Sequence, residues 1–340
     1  MSDSPALPAV NREWHLMKRP VGWPTPEDFA LVEAPMPVPG EGQVLVRNVY
    51  LSVDPYMRGR MSAAKSYAAP FELGQVMQGG TVGEIVASDV EGFEVGEHIL
   101  HFLGWREYAA VDVKNAVKVN GALAPLSTYL GVLGMTGLTA YAGLLRTASF
   151  KEGDVVFVSG AAGAVGSEVG QLAKLMGASR VIGSAGSDEK VRLLLDEYGF
   201  DAAFNYKKGP VAEQLRAAAP DGIDVYFDNV GGDHLEAAIG SLNLRGRIAI
   251  CGMISVYNNT EPAPGPVNLA RLIQTRGRME GFLVGDHYDM QPLFIDQVGP
   301  WVASGALKYR ETVVDGIENM VEAFLGVLRG DNIGKMIVKA

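Results

Sequence analysis

The run from Val155 to Gly166, Val-Val-Phe-Val-Ser-Gly-Ala-Ala-Gly-Ala-Val-Gly, constrains the fold of this chain more than any other stretch. Its apolar start predicts a buried β-strand, and its glycines predict a sharp turn. The next apolar residues recur at helical spacing; they are Val165, Val169, Leu172 and Leu175. A strand, a glycine turn and a helix in this order are typical of the start of a dinucleotide-binding unit, because the unpaired N–H groups and positive dipole end of the helix bind the pyrophosphate.

Further strand and helix patterns follow this motif. Segments rich in β-branched and aromatic residues predict strands at 180–185, 223–228 and 247–251. A helix between the first two is predicted by an apolar stripe, which contains Val191, Leu194, Leu195 and Tyr198. Strands that alternate with helices indicate a parallel sheet with right-handed crossovers. An α/β core whose glycine turns bind no nucleotide is the alternative interpretation.

The residues after the second predicted strand indicate which dinucleotide binds. In an NAD site an acidic residue ends this strand and binds the ribose 2′-hydroxyl, whereas residues 183–186 contain no acid. Lys190 follows in the next helix and Tyr206 follows the third strand, and both an ammonium group and a phenol can bind a 2′-phosphate. The sequence therefore favours NADP(H). The alternative is that Lys190 is solvated and Asp188 binds the ribose; we expect Asp188 to cap the helix instead.

Composition and charge argue against several other classes of protein. The net charge of −10 over 340 residues argues against a nucleic-acid-binding surface and against binding to anionic membranes. No apolar run is long enough to span a bilayer, and residues 1–11 lack the pattern of a signal peptide. Cys251 is the only cysteine, so no disulfide forms within the chain. We therefore expect a cytoplasmic protein that acts on a small molecule.

The chain divides unevenly into a predicted substrate domain and a predicted cofactor domain. Residues 1–130 lack the strand–helix alternation and contain extended runs such as 43–50 and 80–87, which predict a mostly antiparallel β domain. Residues 131–299 form the predicted NADP-binding domain. From 300 to 340 the pattern gives an extended stretch, an amphipathic helix and a final strand-like segment. We expect this tail to return to the first domain.

Six motifs in order give the chain a resemblance to a known family. They are Asp54-Pro-Tyr-Met-Arg58, Ala161-Ala-Gly-Ala-Val-Gly-Ser167, Ala185-Gly-Ser-Asp-Glu-Lys190, Phe227-Asp-Asn-Val-Gly-Gly232, Cys251-Gly-Met-Ile-Ser-Val-Tyr-Asn258 and Asn332-Ile-Gly-Lys-Met-Ile-Val-Lys339. Over nearly its whole length the chain resembles the zinc-independent medium-chain dehydrogenase/reductases, in the branch of prostaglandin reductases, plant double-bond reductases and bacterial curcumin reductases. This resemblance implies a GroES-like, mostly antiparallel β domain joined to a doubly wound Rossmann domain, and a homodimer. The implied activity is NADPH-dependent reduction of the carbon–carbon double bond of α,β-unsaturated ketones and aldehydes.

The resemblance also assigns roles to individual residues. It implies that the turn residues hold the pyrophosphate; these are Gly163, Ala164, Val165 and Gly166. Lys190 and Tyr206 are implied to hold the 2′-phosphate. The residues implied to border the ribose and nicotinamide are Asn229, Cys251, Gly252, Ile254, Ser255, Tyr257, Phe282, Leu283, Val284 and Asn332. Tyr257 is implied to contact the substrate carbonyl, and Tyr56 to line the same pocket from the other domain.

Zinc chemistry is not expected from these residues. Related zinc alcohol dehydrogenases need a cysteine and a histidine near the active site, and the stretch from Gln78 to Gly83, in which a Gly-His-Glu metal motif would fall, contains no histidine. His98 and His101 lie in a predicted strand at a spacing that points their side chains to opposite faces. We interpret both as structural. The same interpretation applies to the isolated histidines, which are His15, His234 and His287.

A nicotinamide cofactor supplies most of the chemistry of such a reductase. Hydride addition to the β-carbon of an enone leaves negative charge on the carbonyl oxygen, and a hydroxyl donor aimed at that oxygen stabilises the charge. We expect Tyr257 to be this donor, because a phenol stays protonated at neutral pH; the alternative is that Tyr257 only packs against the nicotinamide. Tyr56 is either a polar helper or a wall of the pocket. Two other functions stay open, a quinone reductase on the same scaffold and a non-catalytic NADPH-binding protein.

Overall fold

The computed structural model describes residues 7–340. The expectation of no signal peptide rests on residues 1–11, of which 1–6 lie outside the described residues. Among the helices of the described chain, none is both long enough and apolar enough to cross a membrane.

The described chain forms two compact units that alternate along the sequence. The antiparallel unit contains the residues up to Leu130, Val313–Arg329 and Met336–Ala340. The parallel unit contains Gly131–Thr312 and Gly330–Lys335.

The strands are β1 (Val10–Leu16), β2 (Phe29–Pro35), β3 (Gln43–Ser52), β4 (Gln75–Val76), β5 (Thr81–Ala87), β6 (His98–His101), β7 (Tyr108–Asp112), β8 (Val117–Val119), β9 (Val155–Val158), β10 (Arg180–Ala185), β11 (Ala202–Asn205), β12 (Ile223–Asp228), β13 (Leu242–Ile250), β14 (Arg278–Gly281), β15 (Glu311–Asp315) and β16 (Lys335–Lys339). The α-helices are α1 (Tyr56–Arg60), α2 (Met135–Ala142), α3 (Ala164–Leu175), α4 (Asp188–Asp196), α5 (Val211–Ala218), α6 (Gly232–Gly240), α7 (Arg271–Thr275), α8 (Gln291–Ala303) and α9 (Met320–Arg329).

The antiparallel unit is built from two sheets around an aromatic centre. One sheet has the order β2-β1-β4, and the other has the order β15-β16-β3-β5-β6-β8 with β7 paired to β3. Phe29 of β2 stacks on Trp105 with ring centroids 6.2 Å apart, and Phe324 of α9 meets the Trp105 ring edge-on at 5.9 Å. All three side chains are buried. Aromatic pairs in these geometries add stability beyond the area that they bury, so they fix the centre of this core.

The parallel unit is a Rossmann fold. Its sheet has the order β11-β10-β9-β12-β13-β14, and each of its strand pairs is parallel. The strand order reverses between β9 and β12, and in such sheets ligands bind outside the carboxyl ends of the strands at this switch point. The predicted fold class, a doubly wound parallel sheet with a mostly antiparallel β domain, is confirmed.

The first strand of this unit is buried on both faces, as parallel sheets require. Val156 and Val158 belong to the apolar cluster on one face of the sheet, and Phe157 belongs to the cluster on the other. The Phe157 ring stacks on Tyr226 of β12 with centroids 4.9 Å apart. Because both faces are covered, the carboxyl edge of the sheet is the place where a ligand can reach the strand ends.

Two details of the predicted elements are wrong. The predicted strand 247–251 starts earlier, at Leu242, and ends at Ile250. In α4, Leu195 is 39% exposed whereas Leu193 is buried. The helix ends at Asp196, so Tyr198 reaches the core from beyond the helix and does not mark its inward face.

Candidate cofactor and active site

Two positions of the turn between β9 and α3 favour glycine, one because of its backbone angle and the other because of close packing. Gly160 has a positive φ of 59°, which favours glycine. A Cβ on Gly166 would lie 2.4 Å from the carbonyl oxygen of Gly160. Gly163 is the N-cap of α3, and the first N–H groups of a helix have no partner within the helix. The turn and the helix start therefore form a cradle for an anion.

A distant segment of the chain lies beside this cradle. The N–H of Gly334 donates to the carbonyl oxygen of Ala162 at 2.8 Å, and Gly163 and Gly334 form an isolated parallel bridge. In the same segment, Nδ2 of Asn332 donates to the carbonyl oxygen of Gly334 at 2.6 Å. The Asn332 side chain is thus held by Gly334, which itself contacts the glycine turn through Ala162.

The residues predicted to bind a 2′-phosphate follow the neighbouring strands β10 and β11, and we call Gly186, Ser187, Lys190 and Tyr206 the phosphate end. A Cβ on Gly186 would lie 3.2 Å from the Tyr206 hydroxyl, so these two residues are neighbours. Nζ of Lys190 donates to the carbonyl oxygen of Gly330 at 2.6 Å. Burial is the largest influence on the Lys190 amine and lowers its pKa. The structure brings the predicted lysine and phenol to the same strand end.

Asp188 does not cap α4, contrary to the expectation from sequence. The N-cap is Ser187, whose extended backbone lets its hydroxyl accept from the N–H of Lys190 at 3.3 Å. The Asp188 carboxylate instead accepts from Nδ2 of Asn205 at 2.9 Å and from Nζ of Lys208 at 2.5 Å. These bonds, that from Asn205 first, lower the pKa of Asp188. Asp188 is therefore an ionised carboxylate already engaged by two donors.

His234 of α6 packs against Tyr206 of the phosphate end. Its ring meets the Tyr206 ring edge-on with centroids 5.2 Å apart. Burial lowers the pKa of His234 to about 4, so the imidazole is neutral at physiological pH. A neutral, buried ring that orients a neighbouring phenol agrees with the structural interpretation of this histidine.

At the switch point, buried hydrogen bonds join the ends of β9 and β12; we call Ser159, Tyr226, Asp228 and Asn229 the strand-end network. Oδ1 of Asp228 accepts from the Tyr226 hydroxyl at 2.6 Å, the Ser159 hydroxyl at 3.2 Å, and the N–H groups of Val230 at 2.9 Å and Gly231 at 2.8 Å. Nδ2 of Asn229 donates to the carbonyl oxygen of Ser159 at 2.8 Å. Burial raises the pKa of Asp228, and its hydrogen bonds oppose that shift. The network fixes the path of the backbone around the predicted nicotinamide residue Asn229.

The loop after β13 is attached to this network. The N–H groups of Cys251 and Gly252 donate to the carbonyl oxygen of Asp228 at 2.9 and 3.0 Å. Farther along, the N–H groups of Ile254 and Ser255 donate to the carbonyl oxygens of Asn229 and Val230, respectively. Burial, together with the nearby Asp228 charge, raises the pKa of Cys251 to about 12. The thiol is therefore protonated at neutral pH, which excludes it as a thiolate nucleophile.

Tyr257 follows a 3-10 turn, Ile254–Val256, in the same loop. The N–H of Met253 donates to the Tyr257 hydroxyl oxygen at 3.3 Å. A Cβ on Gly252 would lie 3.1 Å from that oxygen. The backbone of Gly252 and Met253 therefore packs around the hydroxyl and fixes the position of the phenol oxygen.

The remaining predicted cofactor residues of the parallel unit follow β14. The N–H of Phe282 donates to the carbonyl oxygen of Ile250 at 3.3 Å, and its ring meets Phe227 edge-on at 6.0 Å. Leu283 is 38% exposed, and Val284 begins a 3-10 turn. This segment therefore runs beside the end of β13, next to the Cys251–Tyr257 loop.

Tyr56 belongs to the antiparallel unit, where it begins α1. Its partly buried ring packs against the apolar cluster that contains Met57 and Met61. Its predicted contact with substrate stays a prediction.

The metal-ligating residue types are scattered. Within residues 7–340, no three His, Cys, Asp or Glu side chains lie close enough together to hold a metal ion. His101 is buried, and burial followed by the charge of Arg106 lowers its pKa to about 3. Nδ1 of His101 accepts from the N–H of Leu103 at 3.1 Å, which is a structural role.

Three polar residues of this region were missed by the sequence analysis: Ser159, Asp228 and Lys208. An aspartate directly after the apolar run Val225–Phe227 was a usable signal for Asp228, because a buried carboxylate needs donors. Nothing in the sequence distinguishes Lys208 from Lys207 beside it, since their partners are set by the turn that carries them.

Comparisons with known proteins agree with this architecture. A family model described as "N-terminal domain of oxidoreductase" matches residues 12–119, and one described as "Zinc-binding dehydrogenase" matches residues 164–298. The NADPH-dependent curcumin reductase of Escherichia coli is 44% identical over 97% of this chain and 96% of its own. The 2-alkenal reductase (NADP(+)-dependent) of Nicotiana tabacum is 44% identical over 96% of this chain and 97% of its own.

A solved structure gives the same result in three dimensions. CurA from Vibrio vulnificus in complex with NADPH superposes with a TM-score of 0.92, at 46% identity, over 97% of this chain and 99% of that chain. Identity at this level over the whole length confirms the resemblance stated from the motifs. The chain belongs to the medium-chain dehydrogenase/reductase family, in its zinc-independent branch of double-bond reductases.

Proposed function

We propose that this protein uses NADPH to reduce the carbon–carbon double bond of α,β-unsaturated ketones and aldehydes. One observation carries the proposal: over nearly the whole chain, the protein is 44% identical to relatives named as an NADPH-dependent curcumin reductase and an NADP(+)-dependent 2-alkenal reductase. The phosphate end supports the choice of cofactor, because no acid ends β10, the Tyr206 hydroxyl lies beside Gly186, and Lys190 follows in the first turn of α4.

The cradle at the start of α3 fits the pyrophosphate of such a cofactor. Because Gly166 has no Cβ, the first turn of α3 packs directly against the backbone of Gly160 and Ala161, which holds the start of the helix at the end of β9. We assign the pyrophosphate to the turn residues, which are Gly163, Ala164, Val165 and Gly166. The helix dipole and the unpaired N–H groups of α3 stabilise the negative charge there.

The phosphate end supplies the charge that a 2′-phosphate needs. An ammonium group has several N–H donors, and Lys190 uses one of them on the carbonyl oxygen of Gly330. We assign its other donors, with the Tyr206 hydroxyl, to the 2′-phosphate. Lys207 adds positive charge, since its Nζ lies 5.9 Å from the centre of the Tyr206 ring.

The ribose and nicotinamide are assigned to the loops fixed by the strand-end network. The proposed residues are Asn229, Cys251, Gly252, Ile254, Ser255, Tyr257, Phe282, Leu283, Val284 and Asn332. When bound there, NADPH supplies a hydride for the β-carbon of the substrate. The hydrogen-bonded backbone of these loops holds the site in one shape before the substrate arrives, which lowers the cost of reorganisation during the reaction.

Tyr257 is the proposed donor to the substrate carbonyl. The bond from the N–H of Met253 into its oxygen polarises the phenol, which makes its O–H a stronger donor. Negative charge grows on the carbonyl oxygen as the β-carbon is reduced, so this bond stabilises the transition state more than the bound substrate. A proton taken up from solvent water then adds to the α-carbon, which completes the two-electron reduction. Tyr56 is the second candidate for a substrate contact, on the basis of the family resemblance.

The protein is further proposed to act in the cytoplasm as a homodimer. β14 is an edge strand of the parallel sheet, and all four of its residues are exposed. In the adjoining segments Val267 is 86% exposed and Ile273 is 82% exposed. An unprotected edge flanked by apolar side chains favours pairing with a second copy of the same chain. Sedimentation equilibrium giving a monomer at micromolar concentration would contradict the dimer.

A substrate panel tests the proposed function. NADPH oxidation is followed with a simple enone, a 2-alkenal, a quinone and a saturated ketone as the matched control. Turnover of the enone and the alkenal with no turnover of the saturated ketone is the expected result. Turnover of the quinone alone would instead support a quinone reductase, and NADPH binding without any turnover would support a non-catalytic protein.

A further inference from the structure

Asp188 lies at the phosphate end, and its carboxylate is held by the turn that carries Tyr206. It is the first residue of α4, two positions after Gly186, the neighbour of the Tyr206 hydroxyl. Asn205 and Lys208 occupy the two ends of that turn and donate to Oδ1 and Oδ2 of Asp188 at 2.9 and 2.5 Å. Both carboxylate oxygens are therefore engaged by residues on either side of the proposed phosphate ligand.

An acid at this place decides which cofactor a Rossmann fold accepts. A carboxylate near the end of the second strand accepts from the ribose 2′-hydroxyl of NADH, and the same charge repels a 2′-phosphate. Asp188 is the nearest acid that follows β10 in the sequence, only three residues after Ala185. The side chains of Asp188 and Lys208 are 49% and 63% exposed, so solvent screens the pair and the expected effects are moderate.

The three lysines near Tyr206 have different partners. Lys190 is directed to Gly330 with donors to spare, and Lys207 lies over the Tyr206 ring. Lys208 is directed to Asp188. Its contribution to phosphate binding therefore passes through the carboxylate that it neutralises.

We propose that Lys208 strengthens the preference for NADPH over NADH by engaging the Asp188 carboxylate, so that Asp188 neither accepts from a ribose 2′-hydroxyl nor repels a 2′-phosphate. This inference rests on the NADPH site of the proposed function and adds a specificity-determining pair to it. Lys208 acts through Asp188 and is a positioning residue.

A double-mutant cycle tests this pair through binding alone. The dissociation constants of NADPH and NADH are measured by nicotinamide fluorescence, without substrate, for the unmodified protein, Lys208→Met, Asp188→Asn and the double variant. Lys208→Met is expected to weaken NADPH binding by about fivefold and to tighten NADH binding by about twofold. In the Asp188→Asn background the same change at Lys208 is expected to alter NADPH binding by less than about twofold.

Lys174→Met is the matched control, because Lys174 forms the same kind of pair with Asp201 at 2.8 Å in the same unit. It is expected to leave both dissociation constants unchanged. A loss of NADPH affinity from Lys208→Met that is equally large in the Asp188→Asn background would overturn the proposal, since Lys208 would then act on the phosphate directly. Unchanged cofactor preference in Lys208→Met, with an unmodified protein that prefers NADPH, would overturn it while leaving the proposed function intact. An unmodified protein with no preference would instead contradict the NADPH site itself.

Discussion

The strand-end network and the phosphate end border the same proposed cofactor, yet they are held together by different interactions. Asp228 of the network is completely buried and its Oδ1 accepts from four donors within the unit. At the phosphate end Tyr206 is 38% exposed, and beside it Asp188 and Lys208 form an exposed ion pair. Buried hydrogen bonds are costly to break, whereas exposed charge pairs contribute little stability. We therefore expect changes in the network to cost stability and changes at the phosphate end to alter cofactor choice without unfolding the protein.

The glycine cradle joins the two regions, and a change there is expected to have the largest effect. Gly166→Ala places a Cβ 2.4 Å from a backbone oxygen, so the turn must move. Strain of this kind costs about 1–3 kcal/mol, and we expect NADPH to bind about 100-fold more weakly by fluorescence titration. Gly299→Ala is the control, because nothing lies within 4 Å of its Cβ position in α8. NADPH affinity within about threefold of normal in Gly166→Ala would contradict the assignment of the cradle.

Replacement by phenylalanine is expected to change stability differently at Tyr226, which belongs to the network, and at Tyr198, which does not. Tyr226→Phe removes the donor 2.6 Å from the buried Asp228 carboxylate and is expected to lower the free energy of unfolding by about 1–3 kcal/mol. The buried Tyr198 hydroxyl has no hydrogen-bond partner among the described residues. Tyr198→Phe is therefore expected to leave stability unchanged or to raise it slightly. Urea unfolding at neutral pH compares the two, and equal losses would show that the network contributes no special stability.

At the phosphate end the expected change is in cofactor choice. Lys190→Ala removes the ammonium group assigned to the 2′-phosphate, and we expect kcat/KM for NADPH to fall about tenfold or more, equivalent to about 1.4 kcal/mol. kcat/KM for NADH is expected to stay nearly constant, which serves as the internal control. An equal loss with both cofactors would indicate that Lys190 supports the fold through Gly330 and does not select the phosphate.

A change at Tyr257 tests the role of the loop that is hydrogen-bonded to the network. Tyr257→Phe keeps the ring and removes the hydroxyl that Met253 holds. We expect kcat with an enone to fall on the order of tenfold, with NADPH affinity unchanged, because the hydroxyl acts in the transition state. A large loss of NADPH affinity with normal kcat would place Tyr257 in the cofactor site alone.

The sequence predicts the two regions unequally, for physical reasons. Local signals located β9, the glycine turn, α3 and the lysine of the phosphate end, because turn chemistry and hydrophobic period act over a few residues. The cap of α4 was misassigned because Ser187 and Asp188 are adjacent and both can cap a helix; the backbone geometry, which the sequence does not contain, selects Ser187. The contact of Gly334 with Ala162 joins segments far apart in the chain, so no local pattern reports it.

The same limit applies to the network. The pairing of β9 with β12 brings Ser159 to Asp228, whereas the other three donors lie within three residues of Asp228, in β12 and in the turn that follows it. Leu195 was predicted to lie on the apolar stripe of α4 from its helical spacing, yet Leu193 is buried and Leu195 is 39% exposed. Which residues of an apolar run face inward depends on how the helix is rotated against the elements that it packs on, and a run of three leucines does not specify that rotation.

The position at which hydride arrives on the substrate tests the central proposal most directly. NADPH carrying deuterium at the transferable position of nicotinamide C4 is incubated with the protein and an acyclic enone, and the product is examined by deuterium NMR and mass spectrometry. We expect a saturated ketone with deuterium on the β-carbon. An allylic alcohol with deuterium on the former carbonyl carbon would contradict it, because the protein would then reduce the carbonyl group and not the double bond.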